Sequence, residues 1–373
     1  MSNAIVSLVS VCDFQGGTQP PKSEWITKYK DGYIQMLQIR DFTQERNENE
    51  YVPLKSNLKT CEEDDILIAR YGASIGKILT GRKGAYNVAI IKTIPDEQKI
   101  TKRYLYYYLK SNIFQNFVKN VGTRAAQAGF NKQDLENLEI YLPSLVRQKQ
   151  IVEILESAHF LIDSRKSQIE ALSSLKRSVF FEMFGNPTIN PMKWDIKLLG
   201  EIVDNENSKR VPIKDADRKK ISGIYPYYGA TGIVDFINDY KLNGEYLLIS
   251  EDGKALESRN KPIAFLVSGK FWVNNHAHII SDNGKCDLRY LETYIDNISI
   301  KNYVTGIDQY KLNRANLDKI PVMCPPRVLQ EGFRNIVKHI EEQLCTLETS
   351  LIEFEKIYNS FLQRAFTGEL FND

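Results

Sequence analysis

The chain has 373 residues, enough for two or three domains, and its 42% hydrophobic and 26% charged residues are typical of a globular protein with a full core. The 49 basic and 47 acidic side chains leave a net charge of +2, so nucleic-acid contact would have to come from local patches. The absence of a long apolar stretch, a signal-peptide pattern or paired cysteines argues against membrane, secreted and zinc-cage classes and predicts a reduced, cytoplasmic protein.

Residues 1–143 are predicted to form a mixed α+β domain. Short apolar runs bounded by Gly, Asp and Asn, at 65–69 and 88–91, predict strands, and residues 104–118 predict a helix. Residues 72–78 resemble a phosphate-binding loop but are one residue short and place Ile78 where Mg²⁺ needs a hydroxyl. Residues 95–99 contain the residue types of a metal nuclease site, but they lie in one loop, without the strand spacing that places two carboxylates around a metal ion. We find no catalytic group and no metal site in the sequence.

Residues 144–187 are predicted to form one long helix, from about Gln148 to Phe184, after Pro143 and before Gly185. At 1.5 Å per residue it would be about 55 Å long. Its apolar positions follow a heptad pattern interrupted by Arg165 and Lys176, whose stems can lie along the groove with the charges in water. The predicted seam consists of Leu155, Ala158, Ile162, Ile169, Leu172 and Val179.

Residues 188–323 are predicted to form a second mixed α+β domain, with strands at 246–249 and 263–267 and a helix at 290–298. His276 and His278 alternate in an apolar run, which predicts that they share one strand face. A metal pair is one interpretation of this pattern, but no cysteine or carboxylate has matching spacing, so structural histidines are favoured.

Residues 324–373 are predicted to form a second long helix, starting later than the first because of Gly332 and ending at Gly368. Its apolar residues step strictly by three and four, which is typical of a coiled coil. Two independent amphipathic helices are the alternative. Two helices in one chain, however, can partner each other in an antiparallel coiled coil. The predicted seam consists of Val337, Ile340, Leu344, Leu347, Leu351, Phe354, Tyr358 and Phe361.

The two halves of the chain repeat one design. A shift of 182 residues takes Asn131 to Asn313 and Pro143 to Pro325, and keeps apolar residues on apolar residues through the helices. A shift of 186 matches Arg103 with Arg289. The sequence therefore predicts a pseudo-twofold α+β fold, with two mixed α/β domains separated by two long helices.

Basic side chains concentrate in two stretches beside Tyr, Asn and Gly. Such stretches fit phosphate anchoring with base-edge contacts, although most charge runs are solvated surface loops. The candidate DNA-binding residues are Arg70, Tyr71, Lys77, Arg82, Lys83, Lys209, Arg210, Lys214, Arg218, Lys219 and Lys220.

Five segments have the most specific residue patterns, at residues 16–21, 227–233, 245–253, 271–278 and 364–370. Together with the repeat, they resemble the specificity subunit of type I restriction-modification systems, over nearly the whole chain. One departure from the family pattern is that the first half has no counterpart of Trp194.

The resemblance implies two target-recognition domains, held apart by two antiparallel helices, that each read one half of a split DNA sequence. The predicted pseudo-twofold repeat agrees, since such a protein should read DNA at two sites, with helix length setting their spacing. It also implies partners: two methyltransferase subunits and restriction-translocation subunits on double-stranded DNA. S-adenosylmethionine, ATP and Mg²⁺ would belong to those partners, and this chain would be a non-catalytic recognition subunit. The competing interpretation is a non-enzymatic coiled-coil scaffold whose paired domains bind proteins.

Overall fold

The computed structural model describes residues 4–44, 48–122, 129–307 and 309–371. Contacts divide the chain into two compact units: the first unit comprises residues 1–166 and 350–373, and the second unit comprises residues 167–349. None of the helices in the described ranges is long and apolar enough to cross a bilayer. The sequence-based boundaries after residues 143, 187 and 323 stay predictions.

Both units combine sheets with helices. The strands are β1 (Ala4–Ser7), β2 (Cys12–Gly16), β3 (Tyr33–Leu37), β4 (Tyr51–Pro53), β5 (Thr60–Cys61), β6 (Leu67–Ala69), β7 (Ile78–Leu79), β8 (Gly84–Tyr86), β9 (Ile90–Pro95), β10 (Glu139–Leu142), β11 (Ile196–Leu198), β12 (Val203–Asn205), β13 (Ser222–Gly229), β14 (Gly232–Ile237), β15 (Leu242–Ser250), β16 (Ala264–Val273), β17 (Ala277–Asp282) and β18 (Pro321–Met323). The α-helices are α1 (Ile39–Thr43), α2 (Lys102–Lys110), α3 (Asn112–Gly122), α4 (Leu145–Phe184), α5 (Leu199–Ile202), α6 (Asp215–Arg218), α7 (Ala255–Ser258), α8 (Leu288–Asn297), α9 (Arg314–Leu317) and α10 (Arg327–Thr367).

The sheets follow a related plan in the two units. The first unit has two four-stranded sheets, ordered β2-β9-β6-β7 and β4-β3-β8-β5, whereas the second has one six-stranded sheet, ordered β12-β17-β15-β16-β13-β14. In each unit a short strand near the start of the domain pairs with the strand that leads into a long helix: β1 with β10, and β11 with β18. The predicted mixed α/β fold class is confirmed.

One glutamine per unit joins the start of a long helix to the domain before it. The buried Gln148 side chain accepts a hydrogen bond from the backbone N–H of Thr101, which caps α2, at 2.9 Å, and donates to the carbonyl of Pro143 at 3.0 Å. Gln330, 182 residues later, repeats both bonds at 2.8 Å with the α8 cap Asp287 and with the carbonyl of Pro325. The repeat seen in the sequence is thus a repeat of hydrogen bonds.

The end of each long helix is anchored by an aromatic cluster. In the first unit the Phe366 ring near the end of α10 lies 5.1 Å from the ring of Tyr104 and 5.4 Å from that of Tyr108. In the second unit the Phe184 ring at the end of α4 lies 4.8 Å from the ring of Tyr290. Phe184 is completely buried and Phe366 nearly so. Each phenylalanine therefore anchors its helix end in a hydrophobic core.

The two long helices run antiparallel within each unit. In the first unit the His159 ring of α4 lies 5.6 Å from the Tyr358 ring of α10, and Arg165 lies 5.2 Å from the ring of Phe354. Contacts therefore move backward along α10 as α4 advances. The second unit shows the same direction, from Lys176 with Glu341 to Phe184 with Phe333. Of the seam positions, Leu155, Ile162, Val337 and Ile340 are buried, and Ala158, Ile169, Leu172, Val179, Leu344, Leu347, Leu351, Phe354, Tyr358 and Phe361 are partly buried.

Two predicted helix boundaries are wrong. Residues 104–118 do not form one helix, because the chain turns at Ser111, whose buried hydroxyl donates to the carbonyl of Tyr108 at 2.6 Å. The second long helix does not start late: α10 begins at Arg327 and carries Gly332 in its second turn. Burial of the neighbouring Phe333 offsets the helix cost of about 1 kcal/mol for a glycine. The predicted helix ends hold, because Gly185 and Gly368 follow the helices with positive φ.

Candidate nucleic-acid interface

Each unit contains a parallel strand pair that ends in the same asparagine turn. The pair is β3 with β8 in the first unit and β13 with β16 in the second. The backbone N–H of Asn87 donates to the carbonyl of Leu37 at 3.1 Å, and that of Asn274 donates to the carbonyl of Tyr228 at 3.0 Å. Both asparagine side chains accept the N–H two residues later, at 3.1 and 2.8 Å. The same turn therefore occurs in both units, each time at the carboxyl end of the parallel strand pair.

A second loop lies beside each turn. The N–H of Arg70, after β6, donates to the carbonyl of Ala89 at 2.8 Å, and the N–H of Glu251, after β15, donates to that of His276 at 2.9 Å. Antiparallel bridges join Tyr71 to residue 129 and Asp252 to residue 311. We call residues 70–72, 87–89 and 129–130 the first loop cluster, and residues 251–253, 274–276 and 311–312 the second loop cluster.

The first loop cluster carries a cation and an aromatic ring. The Nε of Arg70 donates to the carbonyl of Phe130 at 2.6 Å, and the central guanidinium carbon lies 5.0 Å from the centre of the Tyr71 ring. Gly17 passes so close to this turn that an added Cβ would lie 2.2 Å from the carbonyl oxygen of Asn87, so only glycine fits. Tyr71 and Val88 are exposed. This surface offers a fixed arginine, a phenol and an apolar side chain.

The second loop cluster is organised by a partly buried ion pair. The Arg210 guanidinium contacts the Glu251 carboxylate and donates to the carbonyls of Asn275 and Ala277 at 3.4 and 3.3 Å. Burial raises the pKa of Glu251, but the hydrogen bond from Arg210 and the nearby positive charges, including Lys311, hold that pKa below its ordinary value. The carboxylate therefore stays charged at neutral pH and fixes three chain segments together.

The two histidines of the second unit have different environments, so the prediction that they share a strand face is wrong. His276 precedes β17 and is exposed, and its Nδ1 lies 2.7 Å from Asp252. His278 lies inside β17 and is buried: its Nδ1 accepts from the Asn207 amide at 2.8 Å, and its Nε2 donates to the carbonyl of Leu312 at 2.7 Å. Burial lowers the pKa of His278, so this ring is a neutral structural group.

The basic residues predicted in the first half occupy two places. Arg70 and Tyr71 belong to the first loop cluster. Lys77 is adjacent to this cluster: the Lys77 carbonyl accepts the N–H of Ala69, the residue before Arg70, at 2.9 Å. Arg82 and Lys83 precede β8, at the strand end opposite the turn. Arg82 lies 5.8 Å from the Phe42 ring, and Lys83 pairs with Glu62 at 2.8 Å.

The basic residues of the second half also separate. Arg210 contacts the second loop cluster through Glu251, whereas Lys209 pairs with Glu206 at 3.0 Å and lies 5.9 Å from the Tyr246 ring of β15. Lys214, Arg218, Lys219 and Lys220 lie in and around α6. There Arg218 packs 5.2 Å from the Tyr227 ring and pairs with Asp215 at 2.8 Å and Asp235 at 3.3 Å. Asp215 also pairs with Lys219 at 3.0 Å, so this segment is less cationic than its sequence suggests.

Counting basic residues missed several side chains that the fold brings to the loop clusters. Asn87, Asp252, Asn274 and Asn275 follow closely after a strand, in turns with asparagine or glycine. That signal is visible in the sequence, but only strand pairing shows which turns meet. His276 lies in the Asn274 turn, although the sequence predicted only a metal-ligand or structural role for it, and Lys311 is brought in by its bridge to Asp252.

The described residues hold no group of three or more side chains that could bind a metal ion. Burial is the main cause that raises the pKa of Cys12 to about 12 and that of Cys61 to about 11, so neither thiol is activated. The loop clusters present guanidinium, phenol, imidazole and amide groups on turns that backbone hydrogen bonds hold.

A family model described as "Type I restriction modification DNA specificity domain" matches residues 3–173 and 191–353. A putative type I restriction enzyme specificity subunit of Haemophilus influenzae is 39% identical over 141 residues, which is 38% of this chain and 36% of that protein. The MjaIX specificity subunit of Methanocaldococcus jannaschii is 22% identical over 98% of this chain and 93% of its own length.

Two solved structures share the fold. The type I restriction-modification S subunit from M. genitalium superposes with a TM-score of 0.57 and 16% identity, covering 97% of this chain and 96% of that one. A chain from a study of the assembly and conformational transition of the type I system gives a TM-score of 0.62 and 14% identity, with 99% of both chains covered. The chain belongs to the type I restriction-modification DNA specificity family, as a specificity subunit.

Proposed function

We propose that this chain reads a DNA target in two parts, one through each loop cluster. In this role it positions two methyltransferase subunits and the restriction-translocation subunits on double-stranded DNA. The observation that carries the proposal is the repetition of the asparagine turn and its neighbouring loop in both units, with the same backbone hydrogen bonds but different exposed side chains. A repeated scaffold with different contact groups suits a protein that reads two different sequences.

The exposed groups match the donors and acceptors on base edges. His276 Nδ1 donates to the Asp252 carboxylate across 2.7 Å, which leaves the other ring nitrogen, Nε2, for a polar contact with a base edge. In the first loop cluster Tyr71 adds a phenol beside the fixed Arg70 guanidinium. Lys77, exposed next to the first loop cluster, and Lys209, exposed and adjacent in sequence to Arg210, would contact phosphates without reading sequence.

In this proposal the chain supplies recognition only. S-adenosylmethionine for methyl transfer, and ATP and Mg²⁺ for translocation and cleavage, would be bound by the partner subunits.

The test uses the chain assembled with its methyltransferase subunits and maps methylated sites by sequencing. Tyr71→Ala should relax one part of the motif and His276→Ala the other part, each by about 1–3 kcal/mol of discrimination at one base pair. Tyr29→Ala and His339→Ala, both at exposed positions outside the loop clusters, are the matched controls and should leave the motif intact.

Two results would contradict the proposal. One is that Tyr71→Ala and His276→Ala change the same part of the motif. The other is that the assembled complex binds DNA without the steep loss of affinity in salt that phosphate contacts produce. No DNA binding at all would favour the scaffold that binds only proteins.

A further inference from the structure

A lysine interrupts the apolar seam of the helix pair in the second unit. Lys176 of α4 places its Nζ 2.7 Å from the Glu292 carboxylate of α8 and 3.3 Å from the Glu341 carboxylate of α10. The side chains of Lys176 and Glu292 are only 24% and 12% exposed, so most of this network is shielded from water. We call Lys176, Glu292 and Glu341 the ionic layer.

The ionic layer continues into the sheet that carries the second loop cluster. The other oxygen of Glu292 accepts the backbone N–H of Leu266, in β16, at 3.0 Å. β16 ends at Val273, directly before the Asn274 turn. Arg289 of α8 makes a second link, since it pairs with Glu341 at 3.3 Å and with Glu245 of β15 at 2.9 Å. A chain of ionic and hydrogen bonds thus runs from the helix seam to both strands that lead into the loop cluster.

In the first unit the three positions that correspond to the ionic layer carry aromatic side chains. A shift of 182 residues takes Lys176 to Tyr358 and Glu341 to His159, and a shift of 186 takes Glu292 to Tyr106. The His159 and Tyr358 rings lie 5.6 Å apart. Burial, with the nearby phenols of Tyr107 and Tyr106, raises the pKa of Tyr358 to about 12. The fold therefore tolerates an aromatic layer at this position, and the ionic layer is not needed merely to form the helix pair.

Shielded ion pairs add little stability compared with apolar side chains, but they have strict geometric demands. A polar side chain at one seam position can fix the register of a coiled coil at a cost in stability. Burial lowers the pKa of Lys176, but Glu292 and Glu341 outweigh burial and raise it, so the ammonium group stays charged. The three groups are satisfied together only when α4, α8 and α10 hold one relative position.

We propose that Lys176 is a positioning residue that fixes the second loop cluster on the helix pair through Glu292 and Glu341, and so restricts the spacer between the two parts of the DNA target. This inference rests on the proposed function. The inference concerns the spacer alone. The loop side chains determine which bases each loop cluster reads, whereas the accepted spacer length depends on the ionic layer.

The test replaces Lys176 with leucine in the full chain, assembled with its methyltransferase subunits. Lys176→Leu makes the seam apolar at this position but leaves the shielded Glu292 carboxylate without its ammonium partner. We expect lower thermal stability, because an unpaired shielded charge is costly, with both parts of the motif kept. Methylation of sites with a spacer one base pair shorter or longer should rise about tenfold, the change that about 1.4 kcal/mol produces. Lys176→Arg should keep the original spacer, since arginine also pairs with carboxylates.

Lys166→Leu is the matched control. It lies on the same helix and loses an ion pair with Glu355, at 3.3 Å in the first unit, but that pair has no link to the second loop cluster. If Lys176→Leu lowers the yield of folded protein, Glu292→Gln supplies the second variant, because it removes one charge at nearly constant shape and should also relax the spacer.

The two proposals fail in different ways. If neither Lys176→Leu nor Glu292→Gln alters the accepted spacer, the ionic layer does not position the second loop cluster. A wild-type complex that methylates a continuous motif, with no spacer, would instead contradict the proposed two-part reading. Equal relaxation by Lys166→Leu would also overturn the inference, since any loss of charge on α4 would then suffice.

Discussion

The two loop clusters share their backbone and differ in their side chains. Asn87 and Asn274 close the same turn, yet Arg70 in one cluster corresponds to Glu251 in the other. A guanidinium is present in both, from Arg70 after β6 in the first unit and from Arg210 after β12 in the second. The geometry of the turn is set by backbone hydrogen bonds that both units share. The exposed side chains do not take part in those bonds and can therefore differ between the two clusters.

The phenylalanines that anchor the ends of the long helices, Phe184 and Phe366, give the largest expected effect in a test of whether the two units are equivalent. Phe184→Ala and Phe366→Ala each remove a buried ring from an aromatic cluster, so each should lower the free energy of unfolding by about 3–5 kcal/mol. Denaturant unfolding followed by circular dichroism measures the loss. Phe160→Ala, at a ring that is 70% exposed, is the control and should change little. A large loss from only one of the two anchors would break the equivalence of the units.

The buried glutamines test the equivalence at a smaller scale. Gln148→Leu and Gln330→Leu leave the capping N–H of Thr101 or Asp287 without its partner, so each should cost about 1–3 kcal/mol. The same denaturant titration applies, with Gln168→Leu at an exposed position of α4 as the control. If either core variant is as stable as wild type, that hydrogen bond does not hold the helix to its domain.

The second unit alone contains a buried histidine, which predicts a pH response that the first unit lacks. Because burial lowers the folded-state pKa of His278 below its usual 6.5, the unfolded chain binds more protons as pH falls below 6.5. Stability from this group is therefore fully present above pH 6.5 and is lost as pH falls through the folded pKa. Melting temperature measured from pH 7.5 to 5 should show a shallower decline in His278→Gln than in wild type. His339→Gln, at an exposed helix position, should leave the wild-type slope unchanged.

The cysteines give the smallest expected effect. Cys345 is exposed on α10, whereas Cys12 and Cys61 in the first unit and Cys286 in the second are buried. A thiol-reactive dye at neutral pH should label Cys345 first, and Cys345→Ser should remove the fast phase without altering DNA binding. Fast labelling of Cys286 would show that the core of the second unit opens more readily than its burial implies.

The sequence predicted the repeating architecture because long-range equivalence was present in the residues themselves. The 182-residue shift aligned Gln148 with Gln330 and the heptads of the two long helices, and a heptad pattern is local enough to be recognised in one sequence. The break at Ser111 was missed because it depends on a hydroxyl that bonds the preceding turn in a buried site. The early start of α10 was missed because packing of Phe333 outweighs the low helix propensity of Gly332.

The candidate interface was harder to predict than the fold. Charge counting located Arg70 and Arg210, but it gave equal weight to Arg218, whose partners Asp215 and Asp235 come from different elements. Asn87 and Asn274 carry no charge, so charge counting does not select them. They become candidates only when the parallel strand pair of each unit is known, because each asparagine forms the turn at the end of that pair. Local pattern therefore predicted the elements, and strand pairing determined which loops meet.

The most direct test of the central claim is a domain exchange. Residues 188–323 would be replaced by the matching domain of another specificity subunit, and the methylated motif would be mapped by sequencing in cells that carry the methyltransferase. We predict that one part of the motif changes to that of the donor while the other part stays as in wild type. If both parts change together, or if neither changes, the two loop clusters do not read the target independently and the account is wrong.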